Sequence, residues 1–595
     1  MKCIRRIYAS IFKWVPVSAL FTILNYISGA LVPAVITVVS VGLFNSAARV
    51  LGGEPAQDGL YRYAVWYLVI YLLNDVLYYV FSIALNTGVY EKGTAYFRIA
   101  LCEKVARLPL ISFEDADTLN RKERAEKAVN DEILSAVFHR TLAFLSSAVA
   151  VTGVAVVLAR YSLWLLPLSL LSVLPYLFAR LVRGKEFYYV KSIQAKKTRL
   201  LSYLWNLFTT RQAAKEMRVM GFDGYLTDKW RNTRDEGNEE LWSVQKKDAV
   251  SLLWCDGIRI AGYGISVVVV LLLVLRGKVS LGVFGASVAA FLSLQNSMKD
   301  FLTELGRIPE QLSYAGDYYS FLDMPEESDG EAIFPGSFDS IVLDHVSFRY
   351  PNNDCYALKS VDLTIRKGEK IVILGENGSG KTTLSKVLLG LYPPESGRVL
   401  YDGRPVEDFS KESFYSKISA IAQDFVAYSL TLRENVALSD TARLHCDEEI
   451  RTVLAHAGAE QIGNLDDRMG REFGGRELSI GQWQKLAIAR GLFRVSELIL
   501  LDEPTSALDP LVETEILAGF IQAAENKTAL IISHRVGLCK LADRIIVMKN
   551  GEIAETGTHD DLIKASGEYA RLYKAQEMWY HPDFKSTATS RNAAK

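Results

Sequence analysis

Two kinds of apolar pattern divide the chain. Up to about residue 302, apolar residues run on for many positions with few charges, while beyond about residue 338 they come in short runs bounded by glycine, proline and charge. Runs of the first kind are long enough to cross a bilayer as a helix, and short ones suit buried strands. Six are long: Trp14 to about Leu43, Tyr61–Tyr90, Thr141–Leu158, Trp164–Val182, Val250–Leu275 and Leu281–Leu302. Only Ala159–Ser162 separates the third from the fourth, and only Arg276–Ser280 the fifth from the sixth, which predicts two tight hairpins.

Residues 1–13 place Lys2, Arg5, Arg6 and Lys13 among isoleucines, as an amphipathic helix lying at a membrane interface does. A signal peptide is disfavoured, because the apolar stretch that follows is too long and offers no convincing cleavage site. The connection 91–135 holds eight Lys/Arg and 183–247 holds fourteen, against one to three in the short connections. Positive charge accumulates on the cytosolic side, so the amino terminus, both long connections and everything after the sixth span are expected there. Helical spacing continues through Glu91–Leu108 and Gln194–Thr209, which predicts spans that project into the cytosol. The clusters Phe113–Leu119 and Met220–Tyr225 are read as short transverse helices at the far ends of these projections. Asp75, inside the second span, either lines a path or makes a structural pair. Asp256 and Arg259 are three apart and are expected to pair on one helix face.

Length and charge add limits. A chain of 595 residues exceeds one core, and a net charge of −1 gives no global reason to bind nucleic acid. The six cysteines show neither C-x-x-C spacing nor a pairing pattern, so free thiols are expected. Proline, glycine and a charge run between Glu310 and Gly336 mark a domain boundary.

The chemistry lies beyond that boundary. Strand-like Lys370–Leu374, then Gly375-Glu376-Asn377-Gly378-Ser379-Gly380-Lys381-Thr382, then helix-like Thr383–Leu389 have the order and spacing of a phosphate-binding loop. Glycines let the backbone curl until its N–H groups converge on phosphate, and the helix N-terminus adds partial positive charge. Lys381 can then reach the β- and γ-phosphates, and the Thr382 hydroxyl can ligate Mg²⁺. A second apolar run, Leu498–Leu501, ends in Asp502 and Glu503, placed to hold Mg²⁺ through water and to orient or deprotonate an attacking water. Gln423 follows Ile418–Ala422, and His534 follows Ala529–Ile532 at another strand end, within reach of a γ-phosphate. Leu478–Gln482 precedes a helical run and offers another helix N-terminus for phosphate. Tyr350 stands about 25 residues before the loop, where an aromatic can stack on adenine.

In this order, from about residue 10 to 577, these features resemble an ATP-binding cassette exporter half-transporter of the multidrug, lipid and lantibiotic type. Tyr350 resembles the A-loop, Gly375–Thr382 the Walker A motif, Gln423 the Q-loop and Leu478–Gln482 the signature. Asp502 and Glu503 resemble the Walker B carboxylates, Ser506–Asp509 the D-loop and His534 the switch histidine. The resemblance implies an all-α six-helix transmembrane domain fused to an α/β P-loop nucleotide-binding domain. Its layout is an elbow helix (1–13), the membrane domain with its coupling helices (14–323), a linker (324–337), the cassette (338–577) and a polar tail (578–595). It further implies ATP and Mg²⁺ as cofactors, with Thr382, Gln423 and Asp502 on the metal. Thr383, Ser479, Gly481, Gln482 and Asp509 join the Walker A residues around nucleotide, and Lys381, Gln423, Glu503 and His534 act in hydrolysis.

Such a chain needs a second half-transporter, identical or not, because each ATP lies between the P-loop of one chain and the signature of the other. Function is then ATP-driven export of a hydrophobic, amphipathic or peptide substrate by alternating access, from a bacterial plasma membrane whose lipid surrounds the spans. A lipid flippase or lantibiotic exporter uses the same scaffold. An ATP-gated channel fits an intact Glu503 less well, and a soluble cassette ATPase of translation or DNA repair is excluded by the spans. The chain is not expected to trim a leader peptide itself. One position departs from the family pattern: Ile480 replaces the first glycine of L-S-G-G-Q, which puts bulk and a β-branched side chain near the composite site.

Overall fold

Helices built on the long apolar runs form the first of two units, Met1–Ala106 with Asn120–Met324, and the second joins Arg107–Leu119 to Pro325–Lys595. The structure, a computed structural model, describes residues 2–52, 58–161, 167, 197–503, 519–521, 524 and 527–580. Among these, Pro16–Leu51, Gly59–Ala106, Ile133–Arg160, Asp223–Leu275 and Leu281–Leu322 are long and apolar enough to cross a membrane. The expected fourth span, Trp164–Val182, lies outside the described residues. Large apolar side chains such as Trp66, Leu72, Leu253 and Trp254 face outward, an arrangement unfavourable in water and natural against lipid.

Polar contacts fix this bundle where apolar contacts alone would let helices slide. The elbow helix Lys2–Trp14 buries Ile7 and Ile11, four apart and therefore on one face. Its Arg6 guanidinium donates to both oxygens of Asp323, at 2.6 and 2.9 Å, and lies 4.1 Å over the Tyr319 ring. At the other end of the last helix, Ser280 Oγ accepts from Val283 N, and Asn45 Oδ1 accepts from Ser280 Oγ and Gly282 N. Asp256 pairs with Arg259 at 3.1 Å, as the spacing predicts, and also with Lys299 of the neighbouring helix at 3.1 Å. Asp75 is exposed.

Both long connections are helical in their described parts, but their turns differ from expectation. Phe113–Leu119 is not one short helix: a 3-10 turn, Leu110–Glu114, ends there and the helix Ala116–Asn130 begins. The break falls at Asp115, whose carboxylate accepts from the Thr118 N–H and hydroxyl at 3.0 and 2.9 Å and so starts the new helix. Likewise the short helix of the second connection is Arg211–Met220, and Met220–Tyr225 is its end and the next helix's beginning. Gly221, at φ +68°, takes the left-handed turn that stops the first helix.

Between Asp58–Ile83 and Gly93–Ala106 the helix widens to a π-helical segment, Ala84–Lys92. Gly88 in that segment packs so closely on the first span that a Cβ would lie 2.0 Å from Ser18 Oγ.

Among its described residues, the second unit has two sheets. One is antiparallel, in the order β2 (Tyr356–Arg366), β1 (Ser340–Arg349), β4 (Ser396–Tyr401), β5 (Arg404–Pro405). The other runs β10 (Glu552–Gly557), β9 (Arg544–Lys549), β3 (Lys370–Gly375), β8 (Thr528–Ile532), β7 (Leu498–Asp502), β6 (Ile418–Ile421). From β9 to β6 the pairing is parallel, and only β10 reverses. Every residue of β7 and β8 is buried, the continuous apolar run of a strand covered on both faces.

The close approach at Gly88 yields a test. Gly88→Ala is expected to lower the melting temperature of the purified protein, with a loss of about 1–3 kcal/mol. Adding Ser18→Gly should recover most of it; equal melting temperatures for wild type and Gly88→Ala would contradict the contact.

Candidate functional site

Four neighbouring parallel strands bring the site together. The phosphate-binding loop leaves the carboxyl end of β3, His534 follows β8, Asp502 and Glu503 end β7, and Gln423 follows β6. Parallel strands place all four carboxyl ends on one edge, where open α/β sheets collect ligands. A cavity of about 830 Å³ opens on that edge. Tyr350, Gly375, Glu376, Asn377, Gly378, Gly380, Lys381, Thr382, Thr383, Gln423, Glu503 and His534 all line it.

Backbone geometry shows why glycine is needed in the loop. Gly380 sits at φ +102°, and a Cβ there would lie 2.6 Å from the Ala357 carbonyl oxygen. The helix Lys381–Leu388 starts directly after it, so its first N–H groups face the cavity. Lys381 is buried, and its ammonium donates to the Gly375 and Glu376 carbonyls at 2.9 and 3.0 Å. Burial lowers its pKa, against the opposing pull of Glu503 and Asp502.

The two carboxylates differ. Asp502 is buried, which pushes its pKa up against a hydrogen bond with Thr382, and its Oδ1 has no partner among the described residues. A buried orphan carboxylate oxygen beside a hydroxyl is a hard-oxygen donor pair suited to Mg²⁺, so these residues fit the ion. Glu503 instead reaches the cavity. Its Oε2 accepts from Gln423 Nε2 at 2.9 Å, and its Oε1 lies 3.5 Å from His534 Nδ1. Its backbone takes φ +48°, rare for a residue with a Cβ, and its N–H donates to the Ile532 carbonyl at 3.0 Å. That sharp exit turns the carboxylate out of the sheet.

Tyr350 is held to the loop helix by a 3.1 Å hydrogen bond between its hydroxyl and Thr383 Oγ1. Ser379 is buried under the loop rather than in the cavity. The signature residues Ser479, Gly481 and Gln482 do not line the cavity either. Ser479 caps the helix Ile480–Phe493, with Ser479 Oγ accepting from Gln482 N and Gln482 Oε1 accepting from Ser479 N. Ile480 is the first residue of that helix and 70% exposed. It has no positive φ, so the β-branched side chain imposes no backbone strain there and its effect is steric alone. Asp509 lies outside the described residues.

Asn353, Cys355, Tyr356, Leu572 and Gln576 also line the cavity, and no motif marks them. For the last two the available signal was the four-residue spacing of Leu572 and Gln576 on one helical face. A further set links the loop helix to the segment between the second and third spans. Glu114 accepts from the Tyr392 hydroxyl at 2.5 Å and lies 3.8 Å from Lys386 of the loop helix, and Asn352 donates to Asp115 at 3.2 Å.

Known proteins match this arrangement. The ABC transporter family profile matches residues 358–506. The subtilin transport ATP-binding protein of Bacillus subtilis is 31% identical over 486 residues, 80% of this chain and 78% of that protein. The nisin transport ATP-binding protein of Lactococcus lactis is 28% identical over 525 residues, 86% of each. An ATP-dependent lipid A-core flippase of Methylobacillus flagellatus is 34% identical over 303 residues, about half of each chain. Among solved structures, a bacterial Atm1-family ABC exporter with ATP bound aligns with TM-score 0.75 and 20% identity, covering 93% of this chain and 98% of that one. The sheet-edge nucleotide site, the apolar helices and these likenesses lead to one conclusion: the chain belongs to the ABC transporter family and is an exporter whose cassette hydrolyses ATP to drive transport.

Proposed function

We propose that the chain is one half of a two-chain peptide exporter, with two ATP sites each completed by the partner's signature. What carries the two-chain reading is that Ser479, Gly481 and Gln482 stand apart from the cavity that holds the phosphate-binding loop. A second copy or a related chain, docked head to tail, supplies them. Its six long apolar runs supply six spans in a bacterial plasma membrane, and the charge of the long connections puts both termini and the cassette on the cytosolic side.

At each site Lys381 exchanges its loop carbonyls for the β- and γ-phosphates of ATP, and Tyr350 stacks on adenine. Thr382, Asp502 and Gln423 would hold Mg²⁺, which when bound neutralises phosphate charge. Glu503 accepts the proton of the attacking water, steadied by Gln423 on one oxygen and faced by His534 on the other. His534 meets the γ-phosphate. Loss of that phosphate opens the pair of cassettes. Glu114 and Asp115 carry the motion towards the spans through Tyr392, Lys386 and Asn352.

A peptide substrate is favoured because the subtilin and nisin transport proteins match over 80% and 86% of this chain, against 50% and 69% for two lipid A-core flippases. The helical unit also contains a cavity of about 750 Å³, whose lining includes Asn25, Tyr26, Tyr78, His139 and Asp300. Its mixed polar and aromatic wall suits an amphipathic chain better than a lipid tail. Asn74 lines it, and the neighbouring Asp75 does not.

Three outcomes test this reading. Amphipathic peptides should stimulate ATP hydrolysis by the protein in lipid bilayers; stimulation by lipid alone would favour the flippase. Glu503→Gln should cut steady-state hydrolysis by about 100-fold or more while ATP binding persists, and near-normal turnover would remove the role given to Glu503. Glu114→Ala should lower substrate moved per ATP hydrolysed severalfold, with hydrolysis itself within about twofold of wild type. An unchanged transport ratio would show that Glu114 does not couple.

A further inference from the structure

The carboxyl-terminal helix Glu568–Tyr580 is fixed into the cassette at its first turn. The Glu555 carboxylate accepts from the Glu568 and Tyr569 N–H groups at 2.5 and 3.0 Å, supplying the negative charge a helix N-terminus favours. Tyr569 is fully buried, with its hydroxyl 2.6 Å from His559 Nδ1. Hydrogen bonds from Arg571 and Lys549 bring the Glu568 carboxyl down to about 2, so it stays ionised at neutral pH.

From this anchored start the helix reaches two walls of the nucleotide cavity. Arg571 pairs with Glu376, the residue that follows Gly375 in the phosphate-binding loop. Five residues further on, Gln576 meets the loop that leaves β8. Its Oε1 accepts from Val536 N at 2.9 Å, and its Nε2 donates to the His534 carbonyl. A backbone N–H can only donate and a carbonyl only accept, so the two contacts fix the amide's orientation. The His534 side chain is itself 46% exposed, and among the described residues its one charged partner is Glu503 at 3.5 Å. Among the described residues, little besides its backbone therefore sets where the imidazole points.

We propose that Gln576 is a positioning residue for His534, its amide clamping the backbone on both sides of that residue so that the imidazole stands ready beside Glu503. The proposal rests on the role given to His534 above. Through Arg571 the same helix holds the phosphate-binding loop, so one rigid element sets the spacing between the two loops that flank the γ-phosphate position. A purely structural role would also be served by the Val536 contact, since Val536 begins the 3-10 turn Val536–Leu541 and its N–H needs an acceptor.

A double-mutant cycle separates the two. Steady-state ATP hydrolysis is measured against ATP concentration for full-length wild type, Gln576→Ala, His534→Ala and the double variant in lipid nanodiscs. Gln576→Ala should lower kcat about three- to thirtyfold with KM for ATP within about twofold. The double variant should match His534→Ala, because a residue acting through His534 has nothing left to position. Gln576→Glu, which keeps the acceptor for Val536 and loses the donor to His534, should also lower kcat, and it serves as the test should the alanine variant unfold. Wild-type kcat in Gln576→Ala, a change in KM alone, or equal losses in both backgrounds would overturn the proposal. Wild-type kcat in His534→Ala would instead overturn the role of His534 itself.

Discussion

Buried charge at the carboxyl edge of a parallel sheet is the constraint from which the rest of this molecule follows. Lys381 and Asp502 are buried where β3 and β7 end, beside the cavity that Glu503 reaches, and each buried charge must find a partner. Lys381 is satisfied by carbonyls of its own loop, Glu503 by Gln423 with His534 opposite, and Asp502 only on its Thr382 side. The arrangement leaves one demand open, the orphan Asp502 oxygen, and a cation would meet it. Affinity for nucleotide and the fold of the cassette thus share one set of interactions.

Coupling draws on the same economy of polar contacts. The segment around Glu114 and Asp115 lies between two apolar helices in sequence, yet it packs with the cassette. It touches the loop helix through Lys386, the turn after that helix through Tyr392, and the strand end bearing Tyr350 through Asn352. The loop helix is thus in direct contact with a segment that lies, in sequence, between the second and third apolar helices. The carboxyl-terminal helix works from the opposite side, holding Glu376 and the His534 loop by Arg571 and Gln576. The loop and its helix are thus contacted from two sides, by the Glu114–Asp115 segment and by the carboxyl-terminal helix.

Much of this was legible in the sequence because chemistry at short range fixes residue type. The loop needs glycine where φ is positive and lysine where phosphate charge lands, and β7 must be apolar until it reaches the edge, so Gly380, Lys381, Asp502 and Glu503 announce themselves. The spans were legible because a bilayer sets their length. The turns at 113–119 and 220–225 were misread in detail because a capping aspartate and a left-handed glycine end one helix and open another without interrupting polar composition. Gln576 shares a helical face with Leu572, but its role was hidden for a different reason. Its partners are backbone atoms some forty residues away in sequence, and no local pattern marks a glutamine that bonds main chain. Ile480 was legible as a departure but not as a consequence: a helical first turn accepts it without backbone strain, which only the fold could show.

The claim on which most depends is that each ATP site is shared between two chains. Co-expressing a Lys381→Ala chain with a Ser479→Arg chain tests it directly, with ATP hydrolysis measured on the purified mixture. Neither variant alone has an intact shared site, but a mixed pair has one, formed by the sound loop of one chain and the sound signature of the other. Hydrolysis should therefore appear in the mixture well above that of either variant by itself. If loop and signature of the same chain serve one site, every chain in the mixture is defective, and hydrolysis would stay at the level of the separate variants.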